Sequence, residues 1–448
     1  MTRLALPPLG AADYALPMTR IVPPLARFAV SATPSADALD VACLSALDWL
    51  AVGLAGTGEE VAVLLRGMLA EEAGQGAAHG FGYGHGLPPR DAAWLNGATS
   101  HALDYDDTHF ANIGHPSVAV FPAALAVGEA HCAQLSQVIE AALVGMELSI
   151  RVGLWLGRDH YQVGFHQTAT AGAFGACAAA GRLLGLDEGA MAQALGLAAT
   201  QAAGLKAQFG TMGKPLNAGL AARCGVESAQ LVARGFTSDP LALDGPFGFG
   251  ATHHGQEQHG PALEGLGETW IFESVSHKFH ACCHGLHAAL EALREVDVAA
   301  PEIADLIVHT HPRWMSVCNQ PAPDTGLGAK FSYRVALAMA ATGHDTAKLE
   351  SFSGATCADP RVIELRDRIR VQEDAGLSEM QARLEVVLKN GHRMEAAHDL
   401  DAPLPIEARR DRILSKAGAL LGEERLTPLR RAIEGDVAAA ELGALIAG

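Results

Sequence analysis

Between residues 101 and 115 the chain reads HALDYDDTHFANIGH, which sets Asp104, Asp106 and Asp107 among His101, His109 and His115. Crowded carboxylates repel one another and resist leaving water, so a cluster beside apolar helices points to proton transfer, anion binding or metal binding. Asp104, Thr108 and His115 have the types for proton transfer and anion binding. Asp106, Asp107 and His109 are plausible metal ligands by type, but their spacing matches no metal signature. A helix C-terminus with solvated acids and capping side chains accounts for the same residues without chemistry.

Three further islands carry reactive types. In GRDHYQVGFHQTATAG, Tyr161 and His166 precede a run of small residues. A histidine at a helix N-terminus has its proton affinity lowered by the dipole, which favours a neutral base; a capping turn is the plain alternative. In QFGTMGKPLNAG, Lys214 stands in a glycine-rich loop that lets a ligand approach, as a carboxylate clamp or as a solvated surface lysine. The GKP run lacks the spacing of a phosphate loop. In SHKFHACCHGLHAALEAL, Lys278, His280, Cys283, His284 and His287 gather at a helix start. A substrate-binding loop uses the first four of these; a capping turn with packed thiols uses none. A nucleophilic Cys283 needs an oriented histidine and an oxyanion site, and zinc needs spaced ligand pairs that are missing here.

The elements that hold these islands divide into two regimes. Residues 38–235 show apolar residues recurring every three or four positions, the mark of amphipathic helices. Within them residues 168–181 are nearly all small, which fits a central helix surrounded by others. Asp187 followed by Glu188 marks a helix start. Residues 236–268 are rich in Gly, Pro, Asp and His, a loop and a domain boundary. Beyond them IADLIVHTHP and RLEVVLKNGHRMEAAHD alternate like strands, the second folding at Asn390-Gly391 as a type I′ hairpin. Helical stretches flank them at CHGLHAALEALREV and YRVALAMAATG. The expected fold is mainly α: a large all-α domain over residues 1–267, completed by C-terminal helices in 401–448, and a smaller α+β domain over 268–400.

Composition sets the outer limits. A chain of 448 residues exceeds one ordinary core, and 49% hydrophobic against 18% charged residues favours a globular enzyme. A formal charge of −18 argues against nucleic acid as a partner, though not against a small anion held by a few local cations. Eight cysteines without CxxC pairs imply reduced thiols and a cytoplasmic location. Prolines and charges interrupt the N-terminus, so no signal peptide is read, and no run of roughly 20 strongly apolar residues suggests a membrane span.

Taken together the islands resemble the MmgE/PrpD family. The matching blocks are HALDYDDTH with GHPS, GFHQTATAGAFGA, and the long AATQAAGLKAQFGTMGKPLNAGLAARCGVESAQLVARGFTSDP. The resemblance implies a large helical domain, a smaller α+β lid and an active site between them. It implies cofactor-free, metal-free chemistry at a carbon next to a carboxylate of a small di- or tricarboxylic acid, and a homodimer. By motif the family's active-site positions fall on Asp104, Thr108, His115, His166, Lys214 and Lys278. One stretch departs from the pattern. Dehydratase-like members read KPYP, then a small residue and Cys-Arg, whereas this chain reads KFHACCHG, with His284 in the arginine's place. Losing a bidentate fork for a carboxylate counts against a tricarboxylate such as 2-methylcitrate.

A mechanism follows from these positions. Lys214 and Lys278 neutralise substrate carboxylates, His166 or Tyr161 handles a proton on one face, His115 acts opposite, and Asp104 orients them. Departure of a β-group or of a carboxylate makes the enzyme a lyase; return of the proton on the other face makes it an epimerase. A non-catalytic helical binding protein and a thiol hydrolase built on Cys283 are the competing classes.

Overall fold

The computed structural model describes residues 20–296 and 298–448. The N-terminal stretch read as lacking a signal peptide lies, up to residue 19, outside the described residues. The helical part runs α1 (Val22–Ser31), α2 (Ala36–Ala55), α3 (Glu60–Glu72), α4 (Pro89–Ser100), α5 (Ser117–Ala130), α6 (Leu135–Val163), α7 (Gln167–Leu183), α8 (Glu188–Gln201) and α9 (Gly213–Ala233). Asp187 starts α8 as expected, its carboxylate accepting the Ala190 amide at 2.8 Å.

The small-residue run forms the centre of this bundle. α7 is buried continuously from Gln167 to Gly181, with α5, α6, α8 and α9 packed round it. Glycines set the spacing: a methyl group on Gly145 of α6 would stand 2.5 Å from the Gly175 carbonyl oxygen of α7. By composition residues 36–58 are long and apolar enough to cross a membrane, contrary to the sequence expectation. Here 78% of that apolar stretch is buried inside the fold, and α2 also contains the buried Asp48.

Two strands interrupt the helices where none were expected. β1 (Ala78–Gly80) and β2 (Tyr83–Leu87) form a short antiparallel hairpin whose glycine-rich, polar sequence has no apolar alternation to reveal it. The α+β part holds β3 (Ile303–Thr310), β4 (Ile369–Glu373), β5 (Gln381–Leu388) and β6 (Arg393–Asp399) in the order β4-β3-β5-β6. β3 runs parallel to β4 and antiparallel to β5. The β5–β6 hairpin closes at Asn390-Gly391, but not as type I′. Gly391 donates to Leu388 O at 2.8 Å and alone takes the left-handed conformation, φ 89°, while Asn390 does not. That is a three-residue loop with its glycine at the bulge.

Two apolar cores result. One gathers residues 21–275 with 413–446, the other residues 281–386 with the buried Val52 and Tyr105 and the half-buried Leu103 and Leu420 from the helical part. Trp270, Phe272 and Val275 belong to the first and Ala281 to the second, so the chain crosses between cores at 276–280. The helix Ile406–Gly435, broken at Gly422 (φ 72°), returns to pack on α2.

Gly145→Ala forces backbone apart at the bundle's centre. Overpacking of this kind costs about 1–3 kcal/mol, and the variant is expected to melt several degrees below the wild type in a thermal scan.

Candidate active site

α4 ends at Ser100, and His101 closes it by donating its amide to Gly97 O. The chain then turns through Asp104 with φ 50°, a left-handed conformation that a non-glycine residue holds only when its surroundings enforce it. Four consecutive residues show how. Asp104 O accepts Lys278 Nζ at 2.6 Å, and Tyr105 O accepts Lys416 Nζ at 2.7 Å. Asp106 accepts both His101 Nδ1, at 2.9 Å, and His115 Nδ1, also at 2.9 Å. Asp107 O accepts His115 Nδ1 at 2.7 Å, and its carboxylate caps α5 through Ser117 Oγ at 2.5 Å.

The Asp104 carboxylate is where the islands meet. Its Oδ1 lies 2.7 Å from Lys214 Nζ, 3.1 Å from Lys278 Nζ and 3.8 Å from His115 Nε2. Lys214 arrives from the first turn of α9 and Lys278 from the crossing between cores. Protein surrounds Asp104, yet the cleft leaves 51% of its side chain open to water, whereas the Lys278 side chain is only 4% exposed. Burial works against the charge on Asp104, but Lys214 and Lys278 hold its carboxyl well below the usual range. Burial likewise opposes the Lys278 ammonium, and Asp104 and Asp106 more than offset it. Asp104 is therefore a fixed anion and has no proton to donate.

The imidazoles of His115 and His166 differ in tautomer. His115 Nδ1 faces only acceptors, so it carries the hydrogen and Nε2 presents a lone pair toward Asp104. Burial, outweighing Asp106, pulls its pKa down to about 4, with His101 and Lys278 adding to the shift. His166 is the N-cap residue of α7, 2% exposed. The Asn217 amide faces both Leu205 O and His166 Nδ1 (3.3 Å), so nitrogen points at the ring and His166 carries its hydrogen on Nε2. Burial first, then His101 and Lys214, keep His166 neutral. Phe209 packs edge-on against it at 4.9 Å. One imidazole thus offers a lone pair and the other a hydrogen.

Other expected residues join the cleft in part. Thr108 pairs with Ser276 through both backbone groups and leaves its hydroxyl buried without a partner, available to a ligand. His284 sits 4.8 Å from Phe110 with Nε2 3.3 Å from Ser276 Oγ, and its Nδ1 is buried and unpartnered. Burial and Lys278 keep it neutral. The Cys283 thiol, hydrogen-bonded by Cys318 and Gly285, falls to about 7.

Two of the expected residues have other partners. Beyond the α6 break at Gly157 (φ 76°), the Tyr161 ring lies under Lys206 Nζ, 3.7 Å off, and its carbonyl accepts the same ammonium at 3.0 Å. His280 spends both nitrogens on structure, on Thr346 Oγ1 at 2.6 Å and Glu291 at 2.8 Å. Of the metal candidates, Asp107 is used by Ser117, and His109 Nε2 lies 3.0 Å from both Ile271 O and Ser274 Oγ. His101, Asp104, Asp106 and His115 do bring ligand atoms within 4.8 Å of one another. A cation there would share Asp104 Oδ1 with two ammonium groups, which disfavours it. His101, which its sequence setting did not single out, and Asp106, read there only as a metal candidate, lie at the centre of this cluster. A cavity of about 640 Å³ touches Ser276, His277, Phe279, Arg409 and Arg412 but not Lys278.

Comparison with known proteins agrees with this layout. The MmgE/PrpD N-terminal domain model matches residues 24–262 and the C-terminal domain model matches residues 280–422. The chain belongs to the MmgE/PrpD family. Its curated relatives include a cis-aconitate decarboxylase of Aspergillus terreus, 34% identical over 263 residues, which is 54% of each chain. The mouse cis-aconitate decarboxylase is 28% identical over 381 residues, 78% of this chain and 76% of the mouse protein. The human one is 30% identical over 327 residues, 68% and 66% respectively. The matched region thus spans about half the length of the fungal relative.

The ring of His115 is expected to stay neutral with its hydrogen on Nδ1 at pH 6, and to titrate near 4. Nitrogen-15 NMR of labelled histidine reads both tautomer and titration; an imidazolium at pH 6 contradicts the arrangement.

Proposed function

We propose that this MmgE/PrpD protein is a cofactor-independent lyase that decarboxylates a small unsaturated acid of the cis-aconitate type. The planar carboxylates of such an acid need from His284 one neutral hydrogen bond in place of the arginine fork that a 2-methylcitrate-like substrate would use. The observation that carries this reading is the convergence of two ammonium groups and the neutral His115 on Asp104 Oδ1, with the neutral His166 stacked 6.0 Å from His101 beside them. The kinship with cis-aconitate decarboxylases supports the substrate class.

The chemistry needs what these residues offer. As the allylic carboxylate leaves as carbon dioxide, the electrons of its C–C bond become a new C=C bond. The former C=C pair moves to the carbon beside a second carboxylate, forming a dienolate. Lys214 and Lys278 stabilise that developing charge, and a proton delivered to the carbon completes the product. In the free site burial and the lysines hold the imidazoles neutral. A bound trianion cancels the lysine charges and raises imidazole proton affinity, so binding itself loads the proton that the reaction consumes. Thr108 and the neutral His284 add hydrogen bonds without further charge.

The lone pair on His115 Nε2 opposite the hydrogen on His166 Nε2 also suits a second reading, an epimerase that removes a proton on one face and returns it on the other. Incubation in deuterium oxide with cis-aconitate and a panel of dicarboxylates, followed by NMR, separates the two. Carbon dioxide release with one deuteron in the product supports decarboxylation. Solvent exchange with inversion and no carbon dioxide overturns it in favour of epimerisation.

Lys214→Ala and His166→Ala are each expected to lower kcat/KM by roughly 10²–10⁴ with an unchanged circular dichroism spectrum. Near wild-type turnover in either variant removes that residue from the mechanism. Calorimetric titration with the tricarboxylate in two buffers of different ionisation enthalpy is expected to show proton uptake at pH 7; heats that do not depend on buffer refute proton loading.

A further inference from the structure

Beneath the site lies an ion pair that the mechanism above does not use. Lys416, from the helix Ile406–Gly435, and Asp48, from the middle of α2, are 1% and 2% exposed, with Nζ 2.5 Å from Oδ1. Burial opposes both charges: it pushes the Asp48 carboxyl up and the Lys416 ammonium down. Pairs of this kind add little to stability, and apolar replacements of similar volume often do as well or better. Their retention here has a local explanation. The Lys416 ammonium is aimed at a single target in the turn, donating to Tyr105 O at 2.7 Å while standing 4.1 Å over the Tyr105 ring.

Tyr105 is the residue between Asp104 and Asp106. Its side chain packs in the α+β core and its hydroxyl donates to Ala347 O at 3.1 Å, so side chain and carbonyl are fixed from opposite directions. One turn before Asp48 on the same helix, Ser45 Oγ lies 2.9 Å from His277 Nε2, beside Lys278. α2 therefore anchors the residues next to both halves of the Asp104–Lys278 contact. We infer that Asp48 and Lys416 are positioning residues: the ammonium, held in place by Asp48, clamps the Tyr105 carbonyl. That clamp fixes the turn in which Asp104 meets the lysines and Asp106 orients His101 and His115.

The kinetic half of this inference rests on the proposed lyase reading; the structural half does not. The test is the double variant Asp48→Leu/Lys416→Met, which removes both charges at similar bulk, compared with Asp48→Asn, which leaves the ammonium without its counter-charge. Nitrogen-15 and proton NMR of the imidazoles reads the Nδ1 hydrogens shared with Asp106 and needs no substrate. The expected result for both variants is a Tm within a few degrees of wild type and displaced or lost Nδ1–H signals of His101 and His115. Turnover is expected to fall roughly 10–100-fold in kcat, with KM within about threefold, because Lys214 and Lys278 come from other segments. Unchanged imidazole signals together with wild-type kcat overturn the inference, as does a loss confined to Tm. If the double variant does not fold, the Asp48→Asn signals decide. If wild-type protein fails to turn over cis-aconitate, the lyase reading fails and the NMR comparison still answers for the clamp.

Discussion

Two lysine ammonium groups brought to one carboxylate oxygen must be held against their mutual repulsion, and most of what surrounds Asp104 serves that end. Lys214 and Lys278 come from a helix start and from a linker more than sixty residues apart, and neither position is set locally. α9 reaches the cleft because it packs on α4 and α7, and the linker reaches it because Thr108 holds Ser276 and Ser45 holds His277, the two residues just before Lys278. Asp104 is itself forced into a left-handed turn to receive them. Within a chain of net charge −18, the site sets two ammonium groups against the ionised Asp104 and Asp106, so its charges balance locally.

The same arrangement divides labour among the acids. Asp104 faces the cleft and balances the lysines, Asp106 sets two ring orientations, and Asp107 ends the segment by capping α5. Burial first, with Asp106 and Asp48 adding to it and Ser117 opposing it, pushes the Asp107 carboxyl up to about 8, while Lys214 and Lys278 hold Asp104 down and His101 and His115 hold Asp106 down. Three adjacent carboxylates thus differ by environment, and only one is presented to a ligand.

Much of this was legible in the sequence because it is written in short polar runs between periodic apolar ones. The small-residue α7, the Asp187 cap, the strands after residue 300 and the islands at Asp104, His115, His166, Lys214 and Lys278 all follow from type and spacing. What escaped depends on direction. Tyr161 sits five residues before His166, but a glycine of positive φ at 157 breaks the helix before it and its ring packs under Lys206, and sequence does not display that turn. His280 stands two residues from Lys278, so a strand-like segment puts both on the same side; Glu291 and Thr346 nevertheless claim it. The importance of His101 and Asp106 rests on one carboxylate accepting two rings, a relation visible only in space. The hairpin at 78–87 left no apolar alternation to read.

Tyr105 has a consequence of another kind. Its ring belongs to the α+β core while its flanking aspartates belong to the helical cleft, and Lys278 sits in the strand of chain that joins the two. A polypeptide that has completed only its helical core would already contain Asp104, His115, His166 and Lys214, yet it would lack both the socket for Tyr105 and the second ammonium group. The site is in this sense a readout of both cores at once: its charge pattern exists only where the two close on the same turn.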